Sequence, residues 1–174
     1  MLETLASLFR PLRTDVAEPT LELAIEIARE GREGHRIGTI FTLCDSKTVL
    51  QHSRPLVLDP LTGHPEAARC LMDSNLRGRI KELAQLDGAF VISEAGVFVA
   101  ACRYLDARAS KLKLPLGLGT RHMAAAAISK ISSAIGIVVS ETATVRIFRN
   151  GSLIAEILPE LWLLSPYTGH MHGI

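Results

Sequence analysis

Leu116-Gly-Leu-Gly-Thr-Arg-His-Met-Ala-Ala-Ala-Ala-Ile-Ser-Lys-Ile131, followed closely by Gly136-Ile-Val-Val-Ser140, is the stretch whose reading decides the fold. The two glycines make a turn, and the alanine run after His122 favours a helix, which we place over residues 123–134. The short β-branched run at 136–140 is a buried strand. Helix then buried strand is the grammar of an α/β domain. The chemistry of the stretch sits at the join. Thr120, Arg121 and His122 directly before a helix start would gather backbone N–H groups, the positive end of the helix dipole, a guanidinium and an imidazole. That combination makes an anion site, most naturally for phosphate. The bland alternative is an Arg-His pair that only caps the helix.

The pattern extends in both directions. Downstream, residues 145–148 and 153–158 are strands joined by Asn150-Gly151, a two-residue hairpin signal. Upstream, residues 90–93 and 97–102 form a strand–turn–strand unit that follows Asp87-Gly88-Ala89. An acid at the mouth of a buried strand, followed by two small residues, leaves a carboxylate facing a cleft and lets a ligand approach the backbone; a turn Asp before Gly is the competing reading. Farther upstream lie an entry helix at 18–29 ended by Gly31 and Gly34, and a buried strand at 37–44. A largely looped region spans 45–65 with a strand at 48–51, and residues 65–72 and 76–86 have helical spacing. Residues 104–115 are polar and basic, an exposed loop, and the last sixteen residues are a tail.

The 174 residues fit one domain, and 48% hydrophobic against 21% charged residues describes a chain that buries a core. The net charge of +1 supplies no global field toward nucleic acid or an anionic membrane. Three cysteines, Cys44, Cys70 and Cys102, lie apart in apolar runs and suit free thiols in a reducing compartment. No apolar run approaches the ~20 residues of a membrane span, and the N-terminus lacks a cleavable signal, so the expected location is cytoplasmic. Leu2, Leu5, Leu8, Phe9 and Leu12 form a short amphipathic stripe. His52 and His64 have no partner at metal-ligand spacing and are taken as surface histidines.

The glycine pattern before Thr120 matches neither a Walker loop nor the dinucleotide fingerprint. Phosphoryl or nucleotidyl transfer needs an acid for a metal or a hydroxyl and donors for phosphate oxygens. Asp87 supplies the first, Thr120, Arg121 and His122 the second, and Ser140-Glu141 further contacts. Ser140 and Glu141 end the strand that follows the Thr-Arg-His helix, so they should emerge beside it if the sheet is parallel there.

Asp87-Gly88-Ala89, then Gly119-Thr120-Arg121-His122 before an alanine-rich helix, then Val138-Val139-Ser140-Glu141, in this order resemble the diadenylate cyclase domain. Its marks are a DGA motif and, further along, an RHR motif. The resemblance runs from about Leu21 to Leu158. It implies a single α/β domain, residues 18–158, with a central mixed, twisted β-sheet flanked by helices, between an amphipathic segment at 1–17 and a tail at 159–174. It implies condensation of two ATP into cyclic di-AMP and two pyrophosphates, at the interface of two face-to-face subunits, with Mg²⁺ or Mn²⁺ as cofactor. On this resemblance Asp87, Arg121 and His122 are catalytic and Asp87 and Glu141 hold the metal. Gly88, Ala89, Tyr104, Leu105, Gly119, Thr120, Arg121, His122 and Ser140 bind the nucleotide, Tyr104-Leu105 reading the adenine. The implied partners are ATP, cyclic di-AMP and a second copy of the chain, without nucleic acid or a membrane span.

Two residues depart from the family pattern. Met123 stands at the third position of the RHR motif and removes one positive charge, a burden that Lys130 or Arg103 could carry. Asp106 stands where relatives often have Pro. Met123 also motivates an alternative, a catalytically weak or silent module that senses ATP or cyclic di-AMP.

Overall fold

The structure, a computed structural model, describes residues 14–108, 112, 114–159 and 163–166. The chain opens with helix α1 (Thr14–Glu30), followed by β1 (Thr39–Leu43), α2 (Ser46–Gln51), β2 (Ser53–Pro55) and a 3₁₀ turn at Glu66–Arg69. Helix α3 (Ser74–Leu83), β3 (Ala89–Ile92), β4 (Phe98–Leu105) and α4 (Thr120–Ile131) come next. The strands β5 (Ile135–Val139), β6 (Val145–Arg149), β7 (Ser152–Leu158) and β8 (Leu163–Pro166) complete it. Among the described residues the strands form one eight-stranded sheet in the order β2-β4-β3-β1-β5-β6-β7-β8. Only β1 and β3 pair in parallel; the other pairings are antiparallel, so the sheet is mixed.

Residues in β1, β3 and β5 are buried throughout, as expected of central strands covered on both faces. Because side chains alternate along a strand, each strand feeds two cores. Phe41, Leu43, Phe90, Ile92, Ile137 and Val139 join α1 and α3 on one face, with Leu23 and Ile27 of α1 and Ile80 of α3 fully buried there. Phe41, Phe90 and Phe98 form its aromatic centre, with ring centroids 5.2, 6.5 and 6.0 Å apart. Ile40, Val91, Val138 and Phe148 join Ala125, Ala126 and Ile128 of α4 and Val49 of α2 on the other.

The second face is thin because its partners are small. A Cβ placed on Gly136 would lie 2.9 Å from the Ala125 Cβ and 3.0 Å from its carbonyl oxygen, so the backbone of α4 rests almost directly on β5.

Several boundaries differ from expectation. Helix α1 begins before residue 18, because buried Val16 and Ala17 extend its apolar stripe, and Thr20 Oγ1 donates to the Val16 carbonyl. Residues 48–51 belong to a helix, not a strand. Asp45, in the left-handed region at φ 45°, starts that turn, and its carbonyl accepts from Val49 N–H. The helical spacing at 65–72 yields only one 3₁₀ turn, since Leu71 N–H donates to the Gly96 carbonyl instead. The second of the two begins at Ser74, where the Asp73 side chain accepts from Asn75 N–H. Tyr104 and Leu105 are not loop residues: they end β4, paired with Arg54 and Ser53 of the unanticipated β2. Helix α4 starts at Thr120, so Thr120, Arg121 and His122 are its first turn. The expected tail contains β8, which pairs with the outer edge of β7. The amphipathic stripe Leu2 to Leu12 lies outside the described residues. No described helix is long and apolar enough to cross a membrane.

Replacing Gly136 by Ala should push α4 off the sheet. The expected result is a loss of about 1–3 kcal/mol of stability by overpacking, read as a fall of several degrees in Tm by thermal unfolding; an unchanged Tm would refute the close contact.

Candidate functional site at one end of the sheet

The sheet topology collects the chemistry. Ile40 pairs with Ala89 in parallel, so the amino ends of β1 and β3 lie side by side and bring Gly38 beside Asp87-Gly88. Antiparallel pairing of Thr39 with Val139 and of Ala89 with Arg103 adds the carboxyl ends of β5 and β4, which carry Ser140-Glu141 and Tyr104-Leu105. The start of β6 adds Arg146, opposite Val138. A parallel neighbour for β5 is the route that the sequence suggests for Ser140 and Glu141; an antiparallel one delivers them. The site therefore sits at the amino ends of the parallel pair, opposite to the rule for open parallel sheets.

A cleft of ≈ 360 Å³ is lined by Asp87, Gly88 and Ala89 on one side and by Thr120, Arg121 and Ala124 on the other. Arg103, Tyr104 and Leu105 form its back, with Ile40 and Leu56 adding apolar wall. The cleft depends on Gly88. Its φ is +108°, and a Cβ there would meet the backbone of Cys102 and Arg103 at 2.6–2.8 Å. Cys102 itself has φ 52° where the β3–β4 register shifts, a bulge that re-aims the following residues. Tyr104 is half-exposed with the Arg54 guanidinium 4.4 Å from its ring centroid, while Leu105 is buried. Arg103 is anchored by hydrogen bonds to the Ser53 hydroxyl and carbonyl.

A second hollow, also ≈ 360 Å³, lies around the start of α4, lined by Gly119, Thr120, Arg121, His122, Ser140, Glu141, Thr142 and Arg146. The helix has no side-chain N-cap; the Gly119 carbonyl accepts from His122 and Met123 N–H, and the Thr120 and Arg121 N–H groups precede the first intrahelical bond. Ser140 Oγ lies 2.9 Å from Thr142 Oγ1. His122 is only 7% exposed and edge-on to Phe148. Its Nε2 lies 3.1 Å from Arg146 Nη1. A guanidinium can only donate, so Nε2 is the acceptor and the ring proton resides on Nδ1. That buried Nδ1 has no partner of good geometry. Burial and the Arg146 and Arg121 charges hold the imidazole pKa below its ordinary value, against a weaker pull from Glu156 and the Gly119 carbonyl.

Arg121 joins these spaces. Its Nη1 is 2.9 Å from Glu141 Oε1 and its Nη2 3.7 Å from Asp87 Oδ1. Gly38 makes room, since a Cβ there would lie 2.7 Å from Nη1. A third hollow of ≈ 320 Å³, lined by Arg32, His35, Arg36 and Gly38, also has Arg121 and Glu141 in its wall. Among the described residues no three His, Cys, Asp or Glu side chains cluster as a metal cage. The exposed carboxylates of Asp87 and Glu141 fit a hard cation that takes one or two carboxylates and completes its shell with phosphate oxygens and water.

The sequence-derived residues thus divide. Asp87, Gly88, Ala89, Tyr104 and Leu105 line the first cleft, Gly119, His122, Ser140 and Glu141 the second, and Thr120 and Arg121 both. Of the two cations considered as replacements for the charge missing at Met123, Arg103 lines the first cleft, whereas Lys130 packs against Gly151 at the opposite end of α4. Met123 is 43% exposed and is in the wall of none of the three hollows. Sequence reading missed Gly38 and Arg146. A glycine inside a strand-like run was the available signal for the first, and an arginine between apolar residues in β6 for the second.

Folding keeps His122 neutral, whereas in the unfolded chain it binds a proton once pH falls below about 6.5. Its contribution to stability is therefore complete above that pH and is lost as pH falls toward the lowered folded-state value. Thermal unfolding between about pH 7.5 and pH 5 should show a larger drop in Tm for the wild type than for His122→Gln. Equal drops would show that His122 is not held neutral.

The sequence model of the family described as "DisA bacterial checkpoint controller nucleotide-binding" matches residues 26–153. A diadenylate cyclase of Methanocaldococcus jannaschii is 43% identical over 145 residues, 83% of this chain and 46% of that protein. A diadenylate cyclase of Haloferax volcanii is 39% identical over 158 residues, 89% of this chain and 58% of that protein. The chain thus spans about half the length of these relatives. Among solved structures, a hypothetical membrane spanning protein from Bacillus cereus superposes with a TM-score of 0.60 at 20% identity, covering 86% of this chain and 67% of that one. A double cysteine mutant of DacA from Staphylococcus aureus superposes with a TM-score of 0.52 at 24% identity, covering 84% of this chain and 89% of that one. Both have the same fold as this chain. With its DGA-type turn, its Thr-Arg-His helix start and a family match over most of its length, this chain belongs to the diadenylate cyclase family.

Proposed function

We propose that the chain is a diadenylate cyclase that condenses two ATP into cyclic di-AMP and two pyrophosphates. The observation that carries this reading is that Asp87, Tyr104-Leu105 and Arg121 face one cleft, which continues past Thr120 and Arg121 to the start of α4. Adenine suits the apolar and aromatic side, against Tyr104, Leu105 and Ile40. Phosphates suit the other side, where Thr120, Arg121, the first-turn N–H groups and Ser140 supply donors.

In this reading Asp87, at the rim of the cleft, accepts the proton of a 3′-hydroxyl presented across the interface. The hydroxyl oxygen bonds to the α-phosphorus of the facing ATP as the bond to the β-phosphate bridging oxygen breaks, and pyrophosphate leaves with its charge met by Arg121. The same step in the opposite sense closes the ring. Mg²⁺ or Mn²⁺, held by Asp87 with Glu141 as the second carboxylate at hand, would neutralise triphosphate charge when bound. His122, neutral and buried behind the phosphates, braces the first turn and holds the Arg146 guanidinium through Nε2. Glu141 keeps Arg121 extended.

One cleft holds one nucleotide, so two copies must meet with clefts facing, in a two-fold homodimer or larger homo-oligomer. The exposure of Asp87, Glu141 and Tyr104 at the rim suits such a partner. Free ATP as substrate agrees with action in the cytoplasm.

Purified protein with ATP and Mg²⁺ or Mn²⁺ should form cyclic di-AMP, detected by mass spectrometry. Asp87→Asn should lower turnover by about 10²-fold or more while ATP binding persists. Wild-type protein that binds ATP but forms no product at any protein concentration would refute the enzyme and favour the nucleotide sensor to which Met123 points. Gain of activity on Met123→Arg would then identify the missing charge as the reason.

A further inference from the structure

The family pattern places a second arginine right after the Arg-His pair, and this chain has Met123, outside the walls of the clefts. Another element carries a guanidinium to this end of the sheet. Arg146 projects from β6 into the hollow at the start of α4, sharing its wall with Thr120, Arg121, His122 and Ser140. Of the five N–H donors a guanidinium carries, Nε is taken by Glu156, its cross-strand neighbour on β7, and Nη1 by His122 Nε2. The group is thus fixed from two sides, and its side chain is 18% exposed, open to the hollow but not to bulk solvent on all sides. Glu156 offsets its charge and uses Nε, so the guanidinium keeps N–H donors beyond those that Glu156 and His122 accept from, in the wall of a hollow that also holds Arg121. His122 is more than nine-tenths buried, lines the same hollow and accepts from Nη1, so the guanidinium rests against a ring that packing holds in place.

Resting on the nucleotide-binding reading of this site, we propose that Arg146 is a phosphate-binding residue that replaces, from the strand, the arginine absent from the helix at position 123. Glu156 is its positioning residue, setting the guanidinium plane through Nε so that the Nη edge faces the phosphates. The ligand chemistry is a di- or triphosphate, and the adenosine moiety, held in the neighbouring cleft, is outside the reach of Arg146.

The test separates those two parts of the ligand. Binding of ATP, inorganic pyrophosphate and adenosine is measured by calorimetry on wild type, Arg146→Met, Glu156→Gln and the double variant Arg146→Met with Met123→Arg. Arg146→Met should weaken ATP and pyrophosphate by about tenfold or more, the loss of one charge-assisted contact, and leave adenosine unchanged. Glu156→Gln should weaken ATP by less, again sparing adenosine. The double variant should recover ATP binding in part, because the charge returns on the neighbouring helix.

Equal losses for ATP and adenosine would overturn the proposal and make Arg146 a structural residue, as would an Arg146→Met protein that binds ATP at wild-type strength. If Arg146→Met does not fold, Glu156→Gln decides: unchanged ATP affinity overturns the proposal, and a selective loss supports it. Wild-type protein that binds no ATP overturns it outright. Failure of the cyclase reading looks different, since a protein that forms no cyclic di-AMP but shows the ATP-selective loss retains Arg146 as a phosphate contact.

Discussion

The molecule depends on how closely one helix can lie on one strand. Gly136 and Ala125 let the α4 backbone settle on β5 at a separation that a single added methyl group would prevent. That contact fixes where the first turn of α4 ends up relative to the amino ends of β1 and β3. A helix set back by even an ångström would carry Arg121 away from Glu141 and Asp87, which it now meets at 2.9 and 3.7 Å. The alanine run is therefore more than a helix former. It is the thin layer that brings a charged helix terminus into contact with the end of the sheet.

Glycines perform the matching task on the other elements. Gly38 vacates the space that the Arg121 guanidinium crosses, and Gly88 lets the Asp87 turn press against the bulged backbone of β4. None of these three glycines offers a functional group, yet each removes an obstacle between groups that do. The strain at Cys102 and the left-handed turn at Gly88 lie back to back, so the β3 mouth and the Tyr104-Leu105 wall are set by one local distortion.

Most of the fold was legible because the periodic signals are strong: the stripe of α1, the buried runs of β1, β3 and β5, and the Asn150-Gly151 turn all fell where expected. The misreadings have a common cause in tertiary contacts. Thr48-Val49 looks like strand, but Val49 is fully buried as part of a helical turn against the sheet. Arg146 illustrates the limit for the site. Counting back from a two-residue hairpin pairs it with Ala155, an unremarkable neighbour; the register shift between Ile147 and Phe148 pairs it with Glu156 instead. A bulge of one residue converts an odd arginine into a braced one, and no spacing rule announces it. Asp87 and Arg121 are each ordinary for a turn and a helix start; it is their order along the chain, Asp87-Gly88-Ala89 and then Thr120-Arg121-His122, that singled them out, and the fold brings both to one cleft.

Arg121 stands in the walls of all three hollows at this end of the sheet, and it is held by carboxylates on two sides. A side chain shared in this way makes the spaces thermodynamically inseparable. Whatever draws the guanidinium toward one hollow alters the charge and shape offered by the others, and linkage requires the influence to run equally in the reverse direction. Arg121 is thus a point of reciprocal communication: a ligand in the hollow behind Gly38 that draws the guanidinium would be felt in the cleft beside Tyr104, and the reverse.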